Sequence, residues 1–309
     1  MFMRILFFTG SRGEWGYIKP ILSLCKKNNI KYNICATNMH LLENYGYSIN
    51  EILNDGFKVS DKIFMAMDGY NPVTMSKSMG VLMTSFTDVV NRIKPDWVVL
   101  AGDRSETLVA SIVCSYMYVP VAHIQAGELS GNIDGLARHA IGKFAHIHFA
   151  SNKDAYSRLL KLGEEKFRIK LVGAPQLDDI KKIKKSTISR KKLTENLGIK
   201  GGKYILAVYH PVTEEYLSIE NHISKIIEAL NLSPLNKVWI LPNNDSGSLI
   251  VKKKIIHNKS SDHFLFENLK REDYLNLLRH SECIIGNSSS GIIEAPSFGV
   301  PCVNIGRRQ

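Results

Sequence analysis

Short apolar runs alternate with longer amphipathic stretches along almost the whole chain. The pattern predicts strands at RILFFT (4–9), YNICAT (32–37), DWVVLAG (96–102), PVAHIQAG (120–127), HIHFAS (146–151) and FRIKLVG (167–173). Between them it predicts helices over 15–27, 73–93, 105–117, 136–145 and 153–162. Strands that alternate with helices in this way pair in parallel and are joined by right-handed crossovers.

The rhythm breaks over 175–202, where the chain is Lys-rich and ends in GIKGGK. A domain boundary is expected there, giving a first domain at 1–175 and a second at 176–309. The rhythm restarts with strands at KYILAVYH (203–210), KVWILP (237–242), HFLF (263–266), ECIIGN (282–287) and PCVNIG (301–306). Helices are predicted over 217–231, 247–257, 271–280 and 289–298. No repeat of solenoid period is visible. The expected fold class is α/β, with two doubly wound Rossmann-like domains facing each other across a cleft. Such sheets bind ligands outside the carboxyl ends of their strands, so the residues just after each strand are the candidates for chemistry.

Composition narrows the class. A chain of 309 residues with 44% hydrophobic and 22% charged residues is globular,. No apolar run reaches the roughly 20 residues of a bilayer crossing, and the short run behind Arg4 lacks the core of a signal peptide. The five cysteines are odd in number and show no CxxC spacing, so a reducing cytoplasm is expected. The net charge of +11 is concentrated in KKIKKSTISRKK (181–192) and KKK (252–254). No aromatic residues interleave these lysines as nucleic-acid stacking platforms would. They are read as solvated helix faces or a linker, with no nucleic-acid or membrane partner. His139, His146 and His148 form no zinc spacing and are read as structural.

Six strand-end motifs carry candidate chemistry. TGSRGEWG (9–16) follows the first strand. Gly10, Gly13 and Gly16 suit a tight turn, the following helix would offer free N–H groups to an anion, and Arg12 can fork onto a phosphate. The spacing is not GxGxxG, so the nicotinamide-dinucleotide fingerprint fails. GDRSE (102–106) places Asp103 and Arg104 at a strand tip, either as functional groups or, with Ser105 and Glu106, as a helix cap,. HIQAGELSGNIDGLARH (123–139) places Glu128 and Asp134 in a Gly-rich loop that leads into a helix holding Arg138. Carboxylates gathered near Asp103 would supply general acid and base groups, with pKa values pushed apart. YHPVTEE (209–215) sets His210 at a strand tip, to bind phosphate or move a proton,. PNNDSGS (242–248), with Asn243, is turn-rich. GNSSSGIIEAPSFGVP (286–301) opens a helix with Ser288, Ser289 and Ser290, a diphosphate cradle, and Glu294 can accept both hydroxyls of a ribose,.

These motifs in this order resemble the UDP-N-acetylglucosamine 2-epimerase family over nearly the whole chain, from GSRGEWG to GRRQ. HIQAGE followed by IDGLARHAIGKFAH is similar to the hydrolysing branch, and the combination of HPVT, PNNDSGS, NSSSGIIE and GRRQ is specific where each alone is weak. The resemblance implies a GT-B arrangement with UDP held mainly by the second domain. By position, Ser288, Ser289 and Ser290 would hold the diphosphate and Glu294 the ribose. Arg12, His210 and Arg308 would complement the phosphates, and Asp103, Arg104, Glu128, Asp134 and Asn243 would surround the sugar. The implied reaction turns a UDP-sugar into UDP and free N-acetylmannosamine, for sialic acid synthesis, with no metal and no other cofactor, in a homodimer or tetramer. Family members usually continue beyond GRRQ, so the stop at Gln309 reads as an apparent C-terminal truncation. Competing readings are the same reaction on UDP- or GDP-linked N,N′-diacetylbacillosamine, a GT-B glycosyltransferase, and a non-catalytic nucleotide-sugar binder.

Overall fold

The computed structural model describes residues 3–309. They form two compact units, one running up to Gly69 and over Val73–Asp178, the other comprising Tyr70–Pro72 and Asp179–Gln309. The small piece at Tyr70 groups with the second unit, where the Gly247 N–H donates to the Tyr70 carbonyl at 3.0 Å.

The first unit holds seven parallel strands: β1 (Ile5–Thr9), β2 (Tyr32–Thr37), β3 (Asp61–Ile63), β4 (Trp97–Ala101), β5 (Val121–Ile124), β6 (Ile147–Ala150) and β7 (Ile169–Leu171). Their spatial order is β3-β2-β1-β4-β5-β6-β7, so the winding direction reverses between β1 and β4. β1 is covered on both faces: Leu6, Phe7 and Phe8 are at most 1% exposed, and Phe8 meets Phe86 edge-on at 4.9 Å between ring centroids. A strand buried on both faces reads as a continuous apolar run, which is why RILFFT stood out in the sequence. The second unit repeats the plan with five parallel strands: β8 (Tyr204–Val208), β9 (Asn236–Ile240), β10 (His263–Phe266), β11 (Cys283–Gly286) and β12 (Cys302–Asn304). Their order is β10-β9-β8-β11-β12, with the reversal between β8 and β11. Each unit is therefore a doubly wound α/β sheet. Among the described residues, no helix is long and apolar enough to cross a membrane.

Two expectations need correction. The first helix begins at Arg12, not at residue 15. Ser11 and Glu14 form a capping box that starts it early, so Gly13 and Gly16 lie inside the helix and only Gly10 serves the turn,. The single helix expected over 289–298 is two single turns, Ser290–Ile293 and Ala295–Phe298. Pro296 has no N–H to continue the ladder, and the chain kinks at Glu294,.

The end of β11 demands glycine. Gly286 has φ +142°, and a Cβ there would sit 1.9 Å from the carbonyl oxygen of Val208, its register partner on β8. Gly286→Ala is expected to cost on the order of 3 kcal/mol, read as a lowered urea midpoint; an unchanged midpoint would show that the strand end has room to shift.

Candidate functional site

Each unit gathers polar side chains at the carboxyl ends of strands at or next to its reversal point, the region where doubly wound sheets bind ligands,. In the first unit, the loop after β4 carries Asp103 and Arg104, and the loop after β5 carries Glu128. The helix Ile133–Phe144 follows, with Asp134 in its first turn and Arg138 one turn later.

Arg138 organises this group. Its side chain is 6% exposed, whereas those of Asp103 and Glu128 are 18% and 17% exposed. One guanidinium nitrogen donates to Asp103 Oδ2. The other donates to the Gln125 carbonyl at 2.8 Å and lies 3.9 Å from Glu128 Oε2. Burial works against the Arg138 charge, but Asp103 and Glu128 outweigh it and raise its pKa further. A buried cation thus holds two partly accessible carboxylates from different strand ends. Ser130 Oγ donates to Asp103 at 3.0 Å, and Ser151 Oγ donates to Glu128. Asp134 accepts from Asn132 Nδ2 at 3.0 Å.

The loop between β5 and the helix is held tightly. Gln125 is buried in the left-handed region at φ +61°, a conformation that costs a non-glycine residue energy and commonly marks functional sites,. A Cβ on Gly135 would lie 2.4 Å from the Ser130 carbonyl oxygen, so glycine lets the loop lie against the helix start.

Asp103 and Ser105 do not cap the following helix: its N-cap is Arg104, without a side-chain cap bond. Arg104 Nε instead donates to Glu106 Oε1 at 2.8 Å, and Asn38 Nδ2 donates to the same oxygen at 2.9 Å. Glu106 is fully buried against Gly10, where any Cβ would approach Glu106 Oε1 to 2.5 Å.

The anion site expected at the first helix is occupied from within. The N–H groups of Gly10 and Ser11 both donate to Glu14 Oε2, the latter at 2.9 Å, and the Glu14 N–H donates to Ser11 Oγ at 3.4 Å. The capping box therefore consumes donors that the sequence reading left for a phosphate. Burial, reinforced by the nearby Glu106 charge, pushes the Glu14 carboxyl well above the usual carboxylate range. The raised carboxylate of this unit is one that no motif reading singled out. Arg12 is the first residue of the helix, and its charge reaches His40.

Two buried histidines brace the same strand ends. His40 lies 2.9 Å from Thr9 Oγ1 and 2.8 Å from Ser48 Oγ; His123 Nε2 lies 2.7 Å from the Gly102 carbonyl and donates to it. Burial pushes both down to about 3, with Arg12 adding to the effect at His40. In the unfolded chain they titrate at about 6.5. A lowered folded pKa means the unfolded state binds more protons below that value, so stability falls as pH drops from about 6.5 towards 3. His40→Gln is expected to flatten that acid limb of the melting temperature against pH; an unchanged slope would contradict the assignment.

In the second unit the reversal point is built around Asn287, which is fully buried after β11. Its side chain accepts from the His210 N–H and donates to the His210 carbonyl, both at 2.8 Å. The Asn243 N–H donates to His210 Nδ1 at 3.2 Å, which leaves the proton of a neutral imidazole on Nε2,. Arg308 donates to the Asn287 carbonyl at 3.2 Å. His210 and Arg308, far apart in sequence, thus meet at Asn287, and Asn243 joins them through the His210 ring.

Ser288 and Ser289 are half-buried, while Ser290 and Glu294 are buried. Ser290 Oγ donates to Glu294 Oε2 at 2.6 Å and accepts from the Tyr274 hydroxyl at 2.6 Å. Arg271 donates to Glu294 Oε1. The sequence motifs include Arg138 without a role and give none to Asn287, Arg271 and Tyr274. Arg138 had a signal: it follows Asp134 by one turn and shares the inward face with Ala137 and Ile141, where a charge must have a partner.

The family model described as UDP-N-acetylglucosamine 2-epimerase matches residues 23–309. The chain is 36% identical to the UDP-N,N′-diacetylbacillosamine 2-epimerase (hydrolyzing) of Legionella pneumophila, covering 100% of this chain and 82% of that protein. It is 32% identical to the UDP-N-acetylglucosamine 2-epimerase of Neisseria meningitidis serogroup B, covering 99% and 80%. Its fold matches the crystal structure of a Neisseria meningitidis UDP-GlcNAc 2-epimerase bound to UDP-GlcNAc with a TM-score of 0.79 at 23% identity, over 98% of this chain and 82% of that one. The chain belongs to the UDP-N-acetylglucosamine 2-epimerase family.

Proposed function

We propose that this chain is a cytoplasmic hydrolysing 2-epimerase that converts UDP-N-acetylglucosamine and water into N-acetylmannosamine and UDP. The observation that carries the reading is the Arg138-centred pair, Asp103 and Glu128, since the chemistry needs proton-transfer groups held in fixed relation,. In the first stage a carboxylate takes the C2 proton, the C1–O bond breaks and UDP leaves, giving an acetamidoglycal. In the second stage water adds its oxygen at C1, and a proton returns to C2 from the opposite face. Asp103 or Glu128 serves as the base, and Asp134 is the partner acid or base.

The second unit holds UDP in this reading. The hydroxyls of Ser288 and Ser289 receive the diphosphate, and Glu294 receives the ribose. His210, through Nε2–H, Arg308 and Arg12 are the groups read as offsetting the charge on the departing phosphates. Arg104 and Asn243 bind the sugar.

The named substrate of the Legionella relative favours a second reading, the same reaction on UDP-linked N,N′-diacetylbacillosamine. Measuring UDP release from the two sugar nucleotides side by side decides between them. The first reading expects the higher kcat/KM with UDP-N-acetylglucosamine, and a preference for the diacetylated sugar would replace it with the second.

A further inference from the structure

We propose that Arg271, Tyr274 and Ser290 are positioning residues that set the Glu294 carboxylate to accept a vicinal diol; this rests on the reading of Glu294 as the ribose ligand. Glu294 sits at the kink between two single helical turns and is 5% exposed. A carboxylate so far removed from water keeps its charge only if donors face it. It has one on each oxygen: Arg271 on Oε1 and Ser290 Oγ on Oε2. Each carboxylate oxygen has two acceptor positions. The arrangement therefore leaves one position per oxygen, side by side, which matches two neighbouring hydroxyls.

The donors are themselves held. Tyr274 donates to Ser290 Oγ at 2.6 Å, so the single Ser290 proton is committed to Glu294 and is not available to a diphosphate. Arg271 and Tyr274 lie three residues apart on the helix Arg271–His280 and so share a face,. Asp179 Oδ2 lies 3.8 Å from Arg271 Nε and adds a second carboxylate charge beside the guanidinium. Ser290 accordingly acts on the ribose end of the site through Glu294, and Ser288 and Ser289 are left to the diphosphate.

The test is calorimetric titration of the full chain with UDP and with 2′,3′-dideoxy-UDP. The wild type should bind UDP more tightly. Tyr274→Phe and Ser290→Ala should each weaken UDP about tenfold while changing the dideoxy nucleotide by less than about twofold. Equal losses for both nucleotides, or no loss for UDP, would overturn the positioning role. A wild type that binds the two nucleotides equally, or binds neither, would instead overturn the reading of Glu294 on which the role depends. Tyr274→Phe keeps the ring that packs against the second-unit core, and Ser290→Ala approaches the same network from its other end. Failure of one variant to fold leaves the other to decide.

Discussion

Asp103→Asn is expected to lower turnover by about 10²- to 10⁴-fold, the contribution of a positioned proton-transfer group. Asparagine keeps the shape of the side chain and can still accept from Ser130 and Arg138, the two donors that hold Asp103. What it loses is the capacity to take a proton. Glu128→Gln removes the same capacity from the second carboxylate on Arg138 while keeping the acceptor for Ser151. Both variants should retain UDP affinity, because neither carboxylate is among the proposed nucleotide ligands. Loss of kcat with UDP binding intact therefore separates a chemical role from damage to the fold. The residue whose variant also stops exchange of the C2 proton is the base. A near-normal rate in either variant removes that residue from the mechanism.

Arg138→Leu should have the largest effect on stability. It strips the shared cation from two carboxylates and leaves the Gln125 carbonyl without its donor. Removing one member of a buried ion pair costs about 3–5 kcal/mol, because the partner charge remains desolvated. Urea denaturation of the full chain, following the first unit, should show that loss. Arg138→Lys should fall between the two, since an ammonium retains the charge but lacks the planar fork that reaches Asp103 and Gln125 together. A loss under about 1 kcal/mol, the range of a surface pair, would mean that Arg138 does not hold the site.

The parts of the fold that were legible in the sequence are those where the pattern of apolar residues reports burial directly. HFLF (263–266) and the helix at 271–280 fall where the pattern placed them, and YNICAT (32–37) coincides with β2. β3 was not legible: Asp61–Ile63 is three residues long at a sheet edge and carries one buried side chain, too little for a period to show. The early start of the first helix was legible in principle, because Ser11 and Glu14 have the capping-box spacing,. The three glycines in the same stretch favour a turn just as strongly, so the spacing alone does not decide between the two,.

The candidate site divides in the same way. Residues at strand tips were visible because strand ends are where such folds bind. Residues that act by holding others were not. Asn287 engages the backbone of His210, a contact set by β8 and β11 lying side by side and not by any spacing along the chain. The meeting of Glu14 with Glu106 likewise comes from β1 and β4 being neighbours, which brings together the first turns of the helices that follow them. Tertiary adjacency of this kind leaves only weak traces in a single sequence.

Proton NMR of the purified chain with UDP-N-acetylglucosamine in D₂O tests the central claim most directly. The account predicts release of UDP together with N-acetylmannosamine that carries deuterium at C2. Release of UDP with N-acetylglucosamine that keeps its original C2 proton would contradict it, since simple hydrolysis at C1 needs neither the elimination step nor the carboxylates assigned to it.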